Sequence, residues 1–141
     1  MSTLQSLSFF KAEIILLLGA CATLFTESPR MGKMLPAAAA LATLAAAAVF
    51  CLTGTQEPIF LFQNFYTLDS FTRFFRVFML SATAAAVLMA ASSKALSVNL
   101  FAEYITLLLF LCFGLILMTA STNLLSIFLS VELVSILSYL L

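Results

Sequence analysis

Histidine is absent from the 141 residues, and no glycine-rich phosphate loop or nucleophile-and-base pattern stands in for it. The usual proton-transfer base and metal ligand is therefore missing, and the chain carries no pattern for covalent chemistry. Charge is scarce as well. Six basic and six acidic residues cancel to a net charge of zero and make up 9% of the chain, where a soluble domain carries about 25%. That excludes a soluble globular protein. With no Lys/Arg cluster to neutralise phosphates, it also excludes a basic nucleic-acid binder. The three cysteines, Cys21, Cys51 and Cys112, lie in or at the edge of apolar runs and form no C-x-x-C pair. They make neither a metal nor an iron–sulfur site and say little about redox compartment.

What fills the chain is apolar surface: 64% of residues are hydrophobic and the mean hydropathy is +1.20. A helix needs roughly 20 apolar residues to cross a bilayer. Runs of that order recur at about 6–25, 34–53, 71–91, 102–120 and 123–141, separated by short polar breaks at 26–33, 54–70, 92–100 and 121–123. The expected fold is all-α and integral to a membrane: a polytopic bundle of about five transmembrane helices in a single transmembrane domain over 1–141. No polar stretch is large enough for a soluble domain.

The first run opens with Lys11 and Glu13, where a lysine can snorkel to the interface. Leu18-Gly19-Ala20-Cys21 resembles a lipoprotein cleavage box, but Glu13 cancels Lys11 and leaves only a short apolar region before Cys21, which argues against processing. Thr26–Arg30 with Gly32 and Lys33 reads as a turn. In the second run Pro36 sits in the first turn, where a missing N–H is tolerated. Nine alanines between Ala37 and Ala48 make that helix thin and suited to close packing. Ile59–Phe62 is too short to span and reads as a strand or an interfacial segment, with Phe65 and Tyr66 as interfacial aromatics.

Arg73 and Arg76, three apart and so on one face of the third run, favour snorkelling or lipid-phosphate contact over a buried role. Ala82, Ala86 and Ala90 make a small-residue stripe for packing. Glu103, at the entrance of the fourth run, fits a solvated acid beside the positive end of the helix dipole. Thr122 or Asn123 is a natural cap for the fifth. Charge does not orient the bundle. With the N-terminus outside, Arg30, Lys33 and Lys94 fall inside and Lys11, Arg73 and Arg76 fall outside; loop charges alone favour that arrangement.

The fifth run, Asn123–Leu141, holds the sharpest functional signal. Glu132 lies about nine steps, or roughly 14 Å, from its start, near the middle of a hydrocarbon core ~30 Å thick. A carboxylate there costs at least ~2.5–3.5 kcal/mol, so an intramembrane acid is a functional candidate by default; the plain alternative is a structural interhelical hydrogen bond. Ser135 and Tyr139 fall within about 60° of Glu132 on the helix wheel, as does Phe128. Glu132, Ser135 and Tyr139 thus form a candidate polar path. Ser126, Ser130 and Ser138 lie on another face, where small residues serve helix packing.

Glu103-Tyr104-Ile105, Gly114, Asn123–Leu129, Val131–Ser135 and Ser138–Leu141 together resemble the antiporter-like subunits of respiratory complex I, most closely the subunit N type. Ala12-Glu13-Ile14-Ile15-Leu16 is similar to the Pro-Glu-Ile-Leu opening of that family, with Ala for Pro. Leu68-Asp69-Ser70-Phe71 and Phe74-Phe75 are similar to the lead into its third helix. The likeness runs through the chain in order and is specific over about 101–141; Ser130 stands where the family often has Gly.

The resemblance implies a proton-translocating, non-redox membrane-arm subunit of NADH:quinone oxidoreductase, itself without a cofactor. NADH, FMN, iron–sulfur clusters and quinone belong to other subunits. It implies other membrane-arm subunits, especially antiporter-like ones, and the lipid bilayer as partners, with no nucleic acid and no homo-oligomer. It implies a bacterial inner membrane ahead of an organellar one. Glu132 would pair with a lysine of a later helix, with Ser135 and Tyr139 on its path and Glu103 as a secondary site. Leu141 precedes those helices, so the expectation is an N-terminal portion, inactive alone. A related cation/proton antiporter, a membrane hydrogenase subunit, or a structural or assembly protein are the alternatives.

Overall fold

The computed structural model describes residues 11–25, 32–53, 59–61, 65–93 and 97–141. Its elements are α1 (Lys11–Phe25), α2 (Met34–Thr53), β1 (Ile59–Leu61), β2 (Tyr66–Leu68), α3 (Ser70–Ser92), α4 (Val98–Ala120) and α5 (Leu124–Leu140). The fold is all-α apart from one small hairpin. α2 occupies its expected bounds. The expected first-span residues 6–10, the turn residues 26–31 and Phe62 lie outside the described residues.

Three of the described helices are long and apolar enough to cross a membrane: α2, α3 and the Leu100–Ala120 part of α4. α5, with 17 residues, is about 25 Å long, somewhat short of the ~30 Å hydrocarbon core. The described part of α1 has 15 residues.

α4 is the hub. It packs against α1, α2, α3 and α5, while α1 and α3 also pack against α2. The result is a ring of four helices, with α2 and α4 touching across one diagonal, and α5 applied to the outside of α4. Burial follows the helical period. α3 buries Thr72, Arg76, Leu80, Thr83, Val87 and Ala90, steps of three and four that keep one stripe inward. α2 buries Ala37, Ala40, Leu44, Ala47 and Cys51, so its alanines do form a thin contact face. The stripe expected on α3 is displaced: Ala82 is exposed and Ala86 half-buried, with only Ala90 inside. The arginine and threonines that look too polar for the interior occupy that place instead.

Two glycines allow close helix approach. A Cβ on Gly19 would lie 2.3 Å from Thr43 Cγ2, at the α1–α2 contact. A Cβ on Gly114 would lie 2.9 Å from Val134 Cγ2, at the α4–α5 contact. Gly32 has a φ of 61°, the left-handed region in which a side chain is disfavoured, and turns the chain into α2.

The hairpin ties one end of the bundle together. β1 and β2 pair antiparallel, with Ile59 opposite Leu68, so of the two readings of this segment, a strand or an interfacial segment, a strand is present over Ile59–Leu61. The Thr122 N–H donates to the Phe65 carbonyl at 3.0 Å, and the Ser126 hydroxyl donates to the same carbonyl at 3.2 Å. These bonds fix the turn between α4 and α5. Asn123 caps α5, its side-chain oxygen accepting from Leu125 N–H at 3.1 Å. Asp69 caps α3 in the same way, accepting from Thr72 N–H at 2.8 Å. At the other end, Lys33 Nζ donates to the Ser93 carbonyl at 2.8 Å and sits 5.7 Å from the centre of the Phe101 ring.

Candidate functional site: a buried ion pair and an open acidic face

Two acids define the polar features of this apolar molecule. Glu13, in the first turn of α1, is fully buried. Arg76, near the start of α3, is 6% exposed, and its Nη2 donates to Glu13 Oε1 in a salt bridge. Because α1 and α3 are opposite members of the ring, the pair crosses the bundle along the diagonal that α2 and α4 leave open. Both residues lie toward the hairpin end, where α1 and α3 begin. Buried charges survive in such a place only when paired.

The buried position of Arg76 overturns the snorkelling expected for it. Position on the wheel put Arg73 and Arg76 on one face, and a membrane edge is the cheaper place for an arginine. A carboxylate waiting on the opposite helix reverses the preference. The signal was available: opposite charges at similar depth in the first and third runs, which start on the same side of an up-and-down bundle. Arg73, one turn nearer the hairpin, is half-buried.

Glu132 is the opposite case. It lies midway along α5 and is exposed. Ser135, half-exposed, and Tyr139, 88% exposed, continue that face toward the end of the helix. Phe128 opens it at 58%. The residues of the candidate path therefore do share a face, and it is the face turned away from α4. The other side of α5 does the packing. Ser126, Ser130 and Leu137 are buried, while Leu133 and Val134 close over Gly114. The division of α5 into a serine packing face and an acidic face agrees with its helical wheel, except that Ser138 is exposed. Ser130, whose hydroxyl donates to the Ser126 carbonyl at 2.8 Å, meets its hydrogen-bond need within α5 itself.

Glu103 is exposed but sits more deeply along its helix than expected. α4 starts at Val98, with Ser97 at the N-cap position but no side-chain capping bond, so Glu103 lies beyond the first turn, where the dipole effect has largely faded. It is at the end of the bundle away from the hairpin and is not brought near Glu132. A buried hydroxyl pair, Thr23 and Thr106 at 2.8 Å, links α1 to α4 at that end.

Among the described residues no three His, Cys, Asp or Glu side chains gather as a metal-binding group, and Cys51 and Cys112 are buried free thiols. Outside the helices, the Thr72 backbone N–H and the Thr72 hydroxyl, bonded to Asp69, hold its carboxyl below the usual value. No family model matches the chain, and no curated protein matches it.

Proposed function

We propose that the chain is a proton-translocating membrane subunit of the complex I antiporter-like kind, in which Glu132 is a proton-exchanging group at a contact between helices. One observation carries the reading: a carboxyl midway along an apolar helix, on a face left exposed by the described residues. An acid in that position needs a polar or cationic neighbour once lipid or protein closes around it. The resemblance over 101–141 implies a lysine on a further helix as that neighbour. A cation that approaches a carboxyl weakens its hold on a proton, and withdrawal restores it. At an effective dielectric of about 20, a unit charge at ~4 Å contributes roughly 4 kcal/mol, enough for such a switch.

The reading assigns the chain no redox step and no cofactor of its own. Ser135 and Tyr139 extend the polar face along α5, and Glu103 is a secondary acid on a separate surface. The partners are other membrane-arm subunits in a bacterial inner membrane.

Glu132→Gln separates this role from a structural one, since the amide keeps shape and hydrogen bonding but cannot exchange the proton. In membranes containing the assembled complex, Glu132→Gln and Glu132→Ala should strongly reduce protons moved per electron pair with assembly largely intact. Glu132→Asp should retain part of the activity. A wild-type proton ratio in Glu132→Gln would reduce Glu132 to a packing contact, as in the structural or assembly alternative.

A further inference from the structure

The Glu13–Arg76 pair has more hydrogen-bonding capacity than it uses. Glu13 Oε2 and Arg76 Nε are both buried and have no hydrogen-bond partner among the described residues. Burial without a partner costs a charged group more than it costs a neutral one. The neighbouring helical turns make the shortfall harder to meet from protein. Leu16 and Leu80, one turn beyond each partner, are 0% and 3% exposed. Toward this end of the facing helices the buried residues are either apolar, Ala47 on α2 and Ile116 and Ala120 on α4, or thiols, Cys51 on α2 and Cys112 on α4, whose Sγ lies 3.9 Å from the Met79 carbonyl. Neither thiol is a strong partner for a carboxylate or a guanidinium.

We propose that the pair is an internal-water site: water held within the bundle, accepting from Arg76 Nε–H and donating to Glu13 Oε2, so that the bridge is a hydrated ion pair and not a dry one. Buried water is the usual solution where polar groups of a folded protein lack partners, and it takes two to four polar neighbours to hold one. The pair supplies one donor and one acceptor beyond its own bond, and carboxylate oxygens can accept more than once. The site stands apart from Glu132 and does not depend on the proposed function.

Synchrotron X-ray footprinting of the full chain in lipid nanodiscs tests this, because hydroxyl radicals form where water sits and oxidise adjacent side chains. Leu16 and Leu80 should be oxidised clearly more than Leu44 and Leu109, equally buried leucines of the same core. In the Glu13→Met/Arg76→Met double variant, oxidation of Leu16 and Leu80 should fall to the level of those two. Equal oxidation of all four leucines in the wild-type chain means a dry pair and overturns the inference. So does oxidation of Leu16 and Leu80 that persists in a folded double variant, since the water would then not belong to the pair. Should the double variant fail to fold, the wild-type comparison still decides.

Discussion

Glu13 and Glu132 are the same side chain in two apolar helices, yet the molecule treats them in opposite ways. Glu13 is turned into the ring of helices and matched by Arg76, whereas Glu132 is turned outward on α5. The difference lies in the helices, not in the acids. α1 is a member of the ring and has a cation facing it across the diagonal. α5 touches the ring on one side through Ser126, Ser130 and Leu137, and its other side is exposed. An internal acid is part of how the bundle holds together; an external one concerns what the bundle meets.

The largest test of this contrast is to break the inner pair. Arg76→Ala leaves Glu13 buried without its cation, and such losses typically cost about 3–5 kcal/mol. Replacing both partners, as Glu13→Met/Arg76→Met, removes the desolvated charges together and should cost far less, or stabilise. Denaturant or steric-trapping unfolding in lipid should therefore show the double variant more stable than Arg76→Ala. Additive losses would mean that the two charges do not depend on each other.

The next test compares the ring's packing with that of α5. Gly19→Ala would bring a Cβ to 2.3 Å from Thr43 Cγ2 and 2.7 Å from Thr43 Cβ. Thr43 cannot easily turn away, since its hydroxyl is bonded to the Ala40 carbonyl at 2.8 Å and its branched Cβ restricts χ1. Overpacking of this kind costs about 1–3 kcal/mol, with Gly19→Ala expected at the upper end. At Gly114 the first contacts are the ends of Val134 and Leu133, at 2.9 and 3.1 Å. Small side-chain shifts relieve those, so Gly114→Ala should be the milder change by the same unfolding measurement.

A smaller effect is expected at the hairpin, at the start of α3. Asp69→Ala removes the oxygen that accepts from Thr72 N–H and should cost ~1 kcal/mol, the usual worth of such a cap. Because the folded protein lowers the Asp69 pKa from its ordinary 3.8, the native state favours the ionised form. The stabilisation is complete above that ordinary value and fades as pH falls through the lowered one. The gap between wild type and Asp69→Ala should thus narrow in strong acid. A gap independent of pH would mean that the charge of the cap does not matter.

Much of this architecture was legible in the residues. Runs of apolar residues place five helices, and α2 coincides with its run because polar, turn-forming sequence flanks it. α4 begins at Val98, before its apolar run, because a helix does not require unbroken hydrophobicity, and a search for apolar runs passes over Asn99 and the residues beside it. The two faces of α5 follow from its wheel. The partner of Glu13 is harder to read, because Arg76 lies 63 residues away and either charge alone is equally at home at a membrane edge; only their matching depth in runs that start on the same side points to the pair. Ala82, Ala86 and Ala90 mislead for a related reason. Small residues permit packing, but the choice of inward stripe on α3 follows Arg76, which brings Thr72, Leu80 and Thr83 with it.

The smallest expected effect sharpens the contrast most. Glu132→Gln removes an exposed charge that has no ion-pair partner among the described residues, so the isolated chain in nanodiscs should lose almost nothing. Changes at exposed positions usually lie within about 0.5 kcal/mol, and release of a carboxylate from an apolar surrounding acts in the stabilising direction. Glu13→Gln, the same substitution, leaves the Arg76 guanidinium buried against a neutral amide and should be clearly destabilising. If α5 has a cationic neighbour in an assembly, the sign at Glu132 reverses there: Glu132→Gln would weaken association of that neighbour while leaving the isolated chain unchanged. Measuring the stability of the chain alone and its retention in the assembly therefore assigns Glu132 to its own bundle or to the partner's side. A large loss in the isolated chain would show that α5 folds back onto its own acid and that the face is not open.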